Sequence, residues 1–341
     1  MTLRNLAEHL GLSRTTISMI LNDVPEATRF PEETRRRVAE SAKKLGYRPN
    51  YFARSLGSKR SYLIGVIASD FGNGYDAALL GGFERRLLNT GYTSFISNHF
   101  WSPSVLERHV ETLCDRGAEG LLLIDSTPAE WPGLPAVTIC TSSSPIWSTR
   151  VSIDNTFGIR ETMNHLTGLG HKEIAFIKGP ELSGDTEDRW NAVLAICQEL
   201  GIRVDPRLTV QLERLEANGT GHPEEGRIAT QKLLSRGKRF TALATYNDIS
   251  ALGAMAALRE VGCRVPEDVS VMGFDDIEFA SIAYPPLTTI RQPLREMGAT
   301  AAEVLIRKIE KKEAVENISV RPELVVRSST CPPSRKLKNG R

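Results

Sequence analysis

From Leu63 onward, short aliphatic runs alternate with longer stretches of helical periodicity, and this alternation constrains the chain more than any other feature. Leu63 to Ala68, Thr93 to Ser97 and Gly120 to Ile124 read as strands, with helical patterns over Leu79 to Leu88 and Val105 to Cys114 between them. The rhythm returns after Val151, with strands expected near Ile174 to Ile177, Ala242 to Thr245 and Val269 to Phe274. Strands that alternate with helices predict parallel sheets covered by helices, hence an α/β body of two doubly wound parallel-sheet lobes. Ligands of such sheets bind beyond the carboxyl ends of the strands. That rule selects Ser69-Asp70-Phe71, Asp125-Ser126, Tyr246-Asn247-Asp248 and Phe274-Asp275-Asp276, where carboxylates and amides suit ligand hydroxyls. Asp248 directly precedes a helical run and reads as its N-cap; Asp276 serves equally well to fix a turn.

The first 60 residues follow a different pattern. Leu3, Leu6, Ala7 and Leu10 recur at helical spacing behind Thr2, a good N-cap, and Gly11 offers the stop. Ser13 can cap a second helix with Ile17, Ile20 and Leu21 on one face, and Val38, Ala39, Ala42 and Leu45 stripe a third that starts near Pro31 and ends before Gly46. Three short helices with a glycine turn between the first two describe a helix-turn-helix head, or on this segment alone a generic all-α subdomain. Docked in a major groove, the second helix would bring Arg14 and Thr15 to base edges, with Ser18 and Met19 one turn on. Ser13, Thr16 and Asn22 are short donors suited to phosphates. Met19 fits a thymine methyl or packing against the third helix equally well.

Charge supports the division. Residues 1–60 carry 12 Lys/Arg against 6 Asp/Glu, whereas residues 61–330 carry 27 against 35. A basic head on an acidic body is what a protein needs if only its head meets a polyanion, although a solvated charged face has the same composition. Between the two, Pro49 ends the third helix and Asn50 can cap a further one through Ala53 to Leu56. Helices shorter than about 12 residues are marginal in water, so this one is expected to form only when duplex DNA and a second copy hold it, with Leu56 wedged between base pairs.

A series of specific runs follows in order along the chain: T-L-R-N-L-A-E-H-L-G-L-S-R-T-T-I-S-M-I-L-N at Thr2, E-T-R-R-R-V, L-G-Y-R-P-N, A-R-S-L, I-G-V-I at Ile64, V-S-I-D-N-T-F-G at Val151 and H-L-T-G-L-G-H at His165. The series continues through Y-N-D-I-S-A-L-G-A-M at Tyr246, V-P-E-D-V-S-V-M-G-F-D-D at Val265 and P-P-L-T-T-I-R-Q-P at Pro285. These runs carry a resemblance to the lactose-repressor (LacI/GalR) family of bacterial transcription regulators. It spans roughly residues 2–330 and implies a periplasmic-binding-protein-like core, Leu56 as the minor-groove wedge, and base-reading positions at Arg14, Thr15 and Met19. It also carries a ligand pocket onto Arg189, Asn247 and Asp275, with Ser69, Asp70 and Phe71 nearby; the planar fork of Arg189 suits two oxygens of one ligand. The implied domains are a helix-turn-helix over 1–48, a hinge helix and linker over 49–60, a two-lobed effector-binding and dimerisation domain over 61–330, and a basic tail over 331–341.

Three departures qualify the resemblance. Met19 stands where the family usually has a polar or basic reader, and the loop from Asn22 to Thr34 is about three residues longer than in the lactose repressor, leaving Asp23 to Phe30 without a family contact. Gly221 falls where many members stack an aromatic on the ligand; Trp190, Phe71 and Trp147 are candidate replacements. The expected function is a ligand-responsive, sequence-specific DNA-binding regulator, a repressor in the family's commoner role, cytoplasmic and dimeric on a near-palindromic operator. Its effector is expected to be a sugar or sugar derivative. Dimer contacts are expected around the helix Leu79 to Leu88, and the tail lacks the leucine heptads of a tetramer.

Other classes fit less well. A solute-binding protein sharing the body fold has no use for a basic helical head, and an α/β enzyme with a regulatory head needs a catalytic device. No G-x-G-x-x-G, Walker-type loop, H-E-x-x-H or G-x-S-x-G occurs, and the six histidines show no metal-ligand spacing. Neither a cofactor nor a metal is expected. The five cysteines are odd in number, scattered and without a C-x-x-C pair, so they read as reduced thiols. No stretch approaches the roughly 18 apolar residues of a membrane span, so no membrane partner is expected.

Overall fold

A computed structural model describes residues 2–22, 25–47, 60–71, 74–139, 147–181, 183–213, 223–311 and 313–334. The chain divides into two compact units, Met1–Ser61 and Tyr62–Arg341. The expected contacts at Asn50, Ala53 and Leu56, and the position of Gly221, lie outside the described residues.

In the first unit, α1 (Leu3–Leu10), α2 (Arg14–Leu21) and α3 (Glu32–Lys44) enclose a core of Leu6, Ala7, Ile17, Ile20, Val38 and Ala42. Thr2 and Asn5 form a capping box at the start of α1, and Gly11 closes it in the left-handed conformation at φ 65°. Ser13 caps α2 by accepting from the Thr16 amide at 3.0 Å. One expectation needs correction. Ala39 is exposed, so the buried stripe of α3 is narrower than its apolar pattern. In the long loop, Pro25–Arg29 forms a 3-10 turn that buries Ala27, and Phe30 packs on the core.

The second unit has two parallel sheets. The N-terminal lobe is six-stranded, built from β1 (Leu63–Ala68), β2 (Thr93–Asn98), β3 (Gly120–Ile124), β4 (Ala136–Ile139), β5 (Thr149–Ile153) and β11 (Ile318–Val320) in the order β11-β5-β4-β3-β1-β2. The C-terminal lobe is four-stranded, from β6 (Ile174–Lys178), β7 (Thr209–Gln211), β8 (Ala242–Thr245) and β9 (Ser270–Met272) in the order β7-β6-β8-β9. Beside it, β10 (Thr289–Arg291) and β12 (Glu323–Val325) pair antiparallel. Continuous aliphatic runs such as Leu121-Leu122-Leu123 are buried on both faces, as helix-covered parallel strands must be.

Helices α4 (Gly74–Leu87) and α5 (Pro103–Asp115) cover the first sheet, and α6 (Asn155–Gly168), α7 (Gly184–Glu199), α8 (Pro223–Ser235) and α9 (Asp248–Glu260) the second. After the short α10 (Glu278–Ile282), α11 (Leu294–Glu310) returns to the first lobe and packs on α4. A β-carbon at Gly82 would strike the Arg295 carbonyl, and one at Gly298 the Leu79 carbonyl, so these two helices touch backbone to backbone. The lobes are therefore interlaced. The chain crosses at Asp154, again at Gln292 and Pro293, and a third time between β11 and β12. The helix expected to form dimer contacts spends its apolar face inside the lobe, since Leu79, Phe83 and Leu87 are core and Leu88 alone of its leucines is exposed.

Candidate functional site

The parallel strands of both lobes end at one cleft. It encloses about 650 Å³ of empty space including its mouth. Ser69 reaches it from the end of β1, Asp125 from β3, Tyr246 and Asn247 from β8, and Asp275 from beyond β9. The first turn of α4 adds Tyr75 and Asp76, the turn after β2 adds Trp101, and α7 adds Asp185 and Arg189.

Arg189 is 6% exposed and heavily committed. Its Nε donates to Asn155 Oδ1 at 2.9 Å, one Nη to the Tyr246 carbonyl at 2.9 Å, and the other to Asp185 Oδ2 at 3.4 Å. Its carbon centre lies 3.9 Å from the Phe274 ring centroid and 4.8 Å from that of Tyr246. A guanidinium has five N–H groups, so two are left for a ligand. Asp275 is 5% exposed and takes a hydrogen bond from Gln292 Nε2 at 2.7 Å. Burial, the largest effect, raises its pKa to about 7, with Asp185 pushing in the same direction and Arg189 and Gln292 opposing. Burial likewise raises Asp125, with the charges of Asp185 and Asp275 adding to it and Arg189 opposing, to about 8. Asp76 is also raised well above the carboxylate range, by burial first and then by Asp125, Asp70 and Asp275.

The backbone is strained at this rim. Asp125 has φ 46°, Trp101 φ 61° and Asp275 φ 123°, conformations that cost residues other than glycine roughly 1–3 kcal/mol each. The sheets hold two of them in place, the Asp125 amide donating to the Ile139 carbonyl at 3.1 Å and the Asp275 amide to Ile290 at 2.7 Å.

Of the ligand residues expected from sequence, Ser69, Arg189, Asn247 and Asp275 meet in the cleft. Asp70 is buried but does not line it, and Phe71 packs on the core of the N-terminal lobe. The N-cap role expected of Asp248 falls to Asn247, which lines the cleft as well. Asn247 is the N-cap of α9, accepting from the Ser250 amide at 2.9 Å, while Asp248 is wholly buried and accepts from Thr289 Oγ1 and, at 2.9 Å, from the Ile277 amide. Asp276 pairs with Arg291 at 2.7 Å and Arg327 at 2.6 Å. None of the suggested replacement aromatics lines the cleft: Trp147 packs under α5, and Trp190 stands against Phe176 with Lys178 over its ring. The rings that do line it are Tyr75, Trp101 and Tyr246. Asp185 was legible as a partner, four residues before an arginine on one helix; nothing in the pattern marks Trp101.

On the head, Arg14 and Thr15 are exposed at the N-terminal end of α2, whereas Thr16, Ser18, Met19 and Asn22 are half-buried. Asn22 Nδ2 donates to Ser18 Oγ at 3.2 Å, and Arg29 reaches Met19 Sδ at 3.2 Å, so Met19 packs on the 3-10 turn. Among the described residues there is no group of His, Cys, Asp and Glu able to hold a metal ion, and no helix is long and apolar enough to cross a membrane.

Residues 163–330 match the family model of a periplasmic binding protein-like domain. The HTH-type transcriptional repressor PurR of Haemophilus influenzae is 32% identical, over 96% of this chain and 98% of that protein. PurR of Salmonella arizonae is also 32% identical, covering 97% of both. Among solved structures, the lac repressor dimer bound to operator and the anti-inducer ONPF superposes with a TM-score of 0.85 at 28% identity, covering 97% of this chain and 99% of that one. The transcriptional regulator CelR in complex with cellobiose gives 0.72 at 26% identity, over 96% and 99%.

Proposed function

The chain belongs to the LacI/GalR family of bacterial transcriptional regulators, and from that premise we propose that it is a cytoplasmic, dimeric, ligand-responsive repressor rather than an enzyme. Its DNA ligand is a near-palindromic operator, whose symmetry mirrors that of the dimer. Arg14 and Thr15 read base edges, Ser18 and Met19 contact the bases one turn on, and Ser13, Thr16 and Asn22 address phosphates. The segment Asn50, Ala53 and Leu56 enters the minor groove. Its effector is a polyhydroxylated, sugar-type molecule held by Ser69, Arg189, Asn247 and Asp275, by analogy with relatives whose structures hold cellobiose or ribose.

One observation carries the link between ligand and DNA. Gln292, on the second crossing between lobes, holds Asp275, and Asn155, just after the first, holds both Arg189 and Asp185. A ligand that bonds Asp275 and Arg189 therefore competes for the side chains that set the crossings, and shifts the lobe arrangement by as much as it prefers one state. Selection of random duplexes by the full chain, followed by binding at several salt concentrations, tests the reading. A two-fold symmetric consensus bound with a steep salt dependence is expected. Leu56→Ala is expected to weaken that site far more than random DNA. Binding without sequence preference, or equal losses for both kinds of DNA, contradicts it.

A further inference from the structure

The cleft is rich in carboxyl groups; burial holds Asp125 and Asp275 at pKa values of about 8 and about 7 on their own, and a cation seated beside them would favour their charged forms. Five carboxylates line it, from Asp76, Asp125, Asp185, Glu225 and Asp275, against Arg189 as the single cationic side chain among the described lining residues. Arg189 is already bonded to Asp185, with both side chains about 7% exposed or less. Asp125 and Asp275 have no ion-pair partner of their own among the described residues. Asp275 has one oxygen held by Gln292, and Asp125 Oδ1 is buried with no hydrogen-bond partner among the described residues. A buried, unpartnered carboxylate oxygen is costly to keep unless something completes it. Both aspartates are moreover held in left-handed backbone conformations at strand ends, so the fold places them against this cavity at a conformational expense.

The rest of the lining points the same way. Tyr75 and Trp101 supply aromatic surface, which attracts an ammonium group through the negative face of the ring and equally covers the apolar face of a sugar ring. The two remaining N–H groups of Arg189 and the hydroxyl of Ser69 suit ligand hydroxyls. A carboxylate ligand, by contrast, would enter among five carboxyl groups with only the two remaining N–H groups of Arg189 to meet it.

We propose that the effector carries a protonated amine on a polyhydroxylated frame, an amino sugar or amino polyol, with the ammonium seated at Asp125 and Asp275 and the hydroxyls at Ser69, Asn247 and Arg189. The proposal rests on the cleft being the effector site, as argued in the preceding subsection. It goes beyond it by naming the charge of the ligand and the pair of residues that select it.

Matched triplets separate charge from stereochemistry: glucosamine, glucose and glucuronate; galactosamine, galactose and galacturonate; and glucamine, sorbitol and gluconate. Each is titrated against the full chain near pH 7 by thermal shift and calorimetry. In at least one triplet the amine is expected to bind ten-fold or more tighter than its neutral counterpart, with no binding of the acid. In Asp125→Asn that ratio is expected to fall to about two- to three-fold while the neutral member keeps its affinity, and in Asp275→Asn the ratio is expected to fall likewise, whatever the variant does to the affinity of the neutral member. A neutral or acidic member that binds as well as the amine, or a preference for the amine that survives in both variants, overturns the proposal and leaves the effector reading standing. If none of the nine compounds binds, the polyhydroxylated effector itself fails, and the proposal with it.

Discussion

Replacing Arg189 by methionine is the sharpest perturbation available inside the cleft. The substitution keeps an unbranched apolar stem but removes donors to Asn155, the Tyr246 carbonyl and Asp185, and leaves Asp185, 4% exposed, without its cation. Breaking a buried ion pair from one side costs about 3–5 kcal/mol, because the surviving charge stays desolvated. Exposure of 7% and 6% for the two side chains means that solvent screens little of this. At about 2 °C per kcal/mol for a body of this size, the loss is about 6–10 °C in Tm. Urea and thermal unfolding of the full chain, followed by tryptophan fluorescence, measure it. Asp185→Asn placed on top of Arg189→Met removes the stranded charge and keeps an acceptor for Asn155, so the double variant is expected to recover at least half of the loss. A single substitution costing under about 1 kcal/mol, or a double variant no better than the sum of the two singles, refutes the view of Arg189 and Asp185 as one desolvated unit.

Packing, titration and DNA reading each add an expectation. Gly298→Ala drives a methyl into the Leu79 carbonyl, and overpacking of about 1–3 kcal/mol outweighs the gain of about 1 kcal/mol in helix propensity; the urea midpoint should drop with an unchanged slope. Asp125 and Asp275 have folded-state pKa values of about 8 and about 7, above the ordinary value near 4, so the folded protein binds their protons more tightly. Their contribution is complete at low pH and is lost as pH rises through about 7 to 8, whereas burial lowers His165 and His171 and gives the opposite slope. Asp125→Asn should therefore gain on the wild type between pH 5 and 8 without ligand, and a constant difference would show that no titration occurs there. Arg14→Ala should cost about 1–3 kcal/mol at the operator and relax preference at one base pair per half-site, read by competition with single-base variants.

Much of the architecture was legible because parallel strands buried on both faces leave continuous aliphatic runs. Leu63–Ala68, Gly120–Ile124 and Ala242–Thr245 have the bounds their sequences suggest. The strand expected at Val269 to Phe274 is present as the shorter β9, whereas the three-residue strands β7, β10, β11 and β12 are too short to carry a pattern, and β11 joins the first sheet only through pairing with β5, far away in sequence. The interlacing of the lobes was therefore hidden. At the start of α9, Asn247 and Asp248 have side chains of equal capping ability, and only the register of the first helical turn decides between them. Asp125 and Tyr246 stood among the strand ends from the start, whereas Trp101 reaches the cleft because a left-handed turn redirects it. Arg189 came from family resemblance alone; nothing local marks an arginine in mid-helix as a cleft residue.

The central claim is that occupancy of the cleft sets DNA affinity through residues tied to the lobe crossings. Fluorescence anisotropy of the selected operator, titrated with the full chain at fixed salt with and without the best ligand from the triplets, measures it directly. The account predicts that saturating ligand changes operator affinity at least ten-fold, and that Gln292→Leu, which frees Asp275 from its crossing, reduces that change several-fold while ligand still binds. An operator affinity unmoved by a ligand shown to occupy the cleft would contradict it.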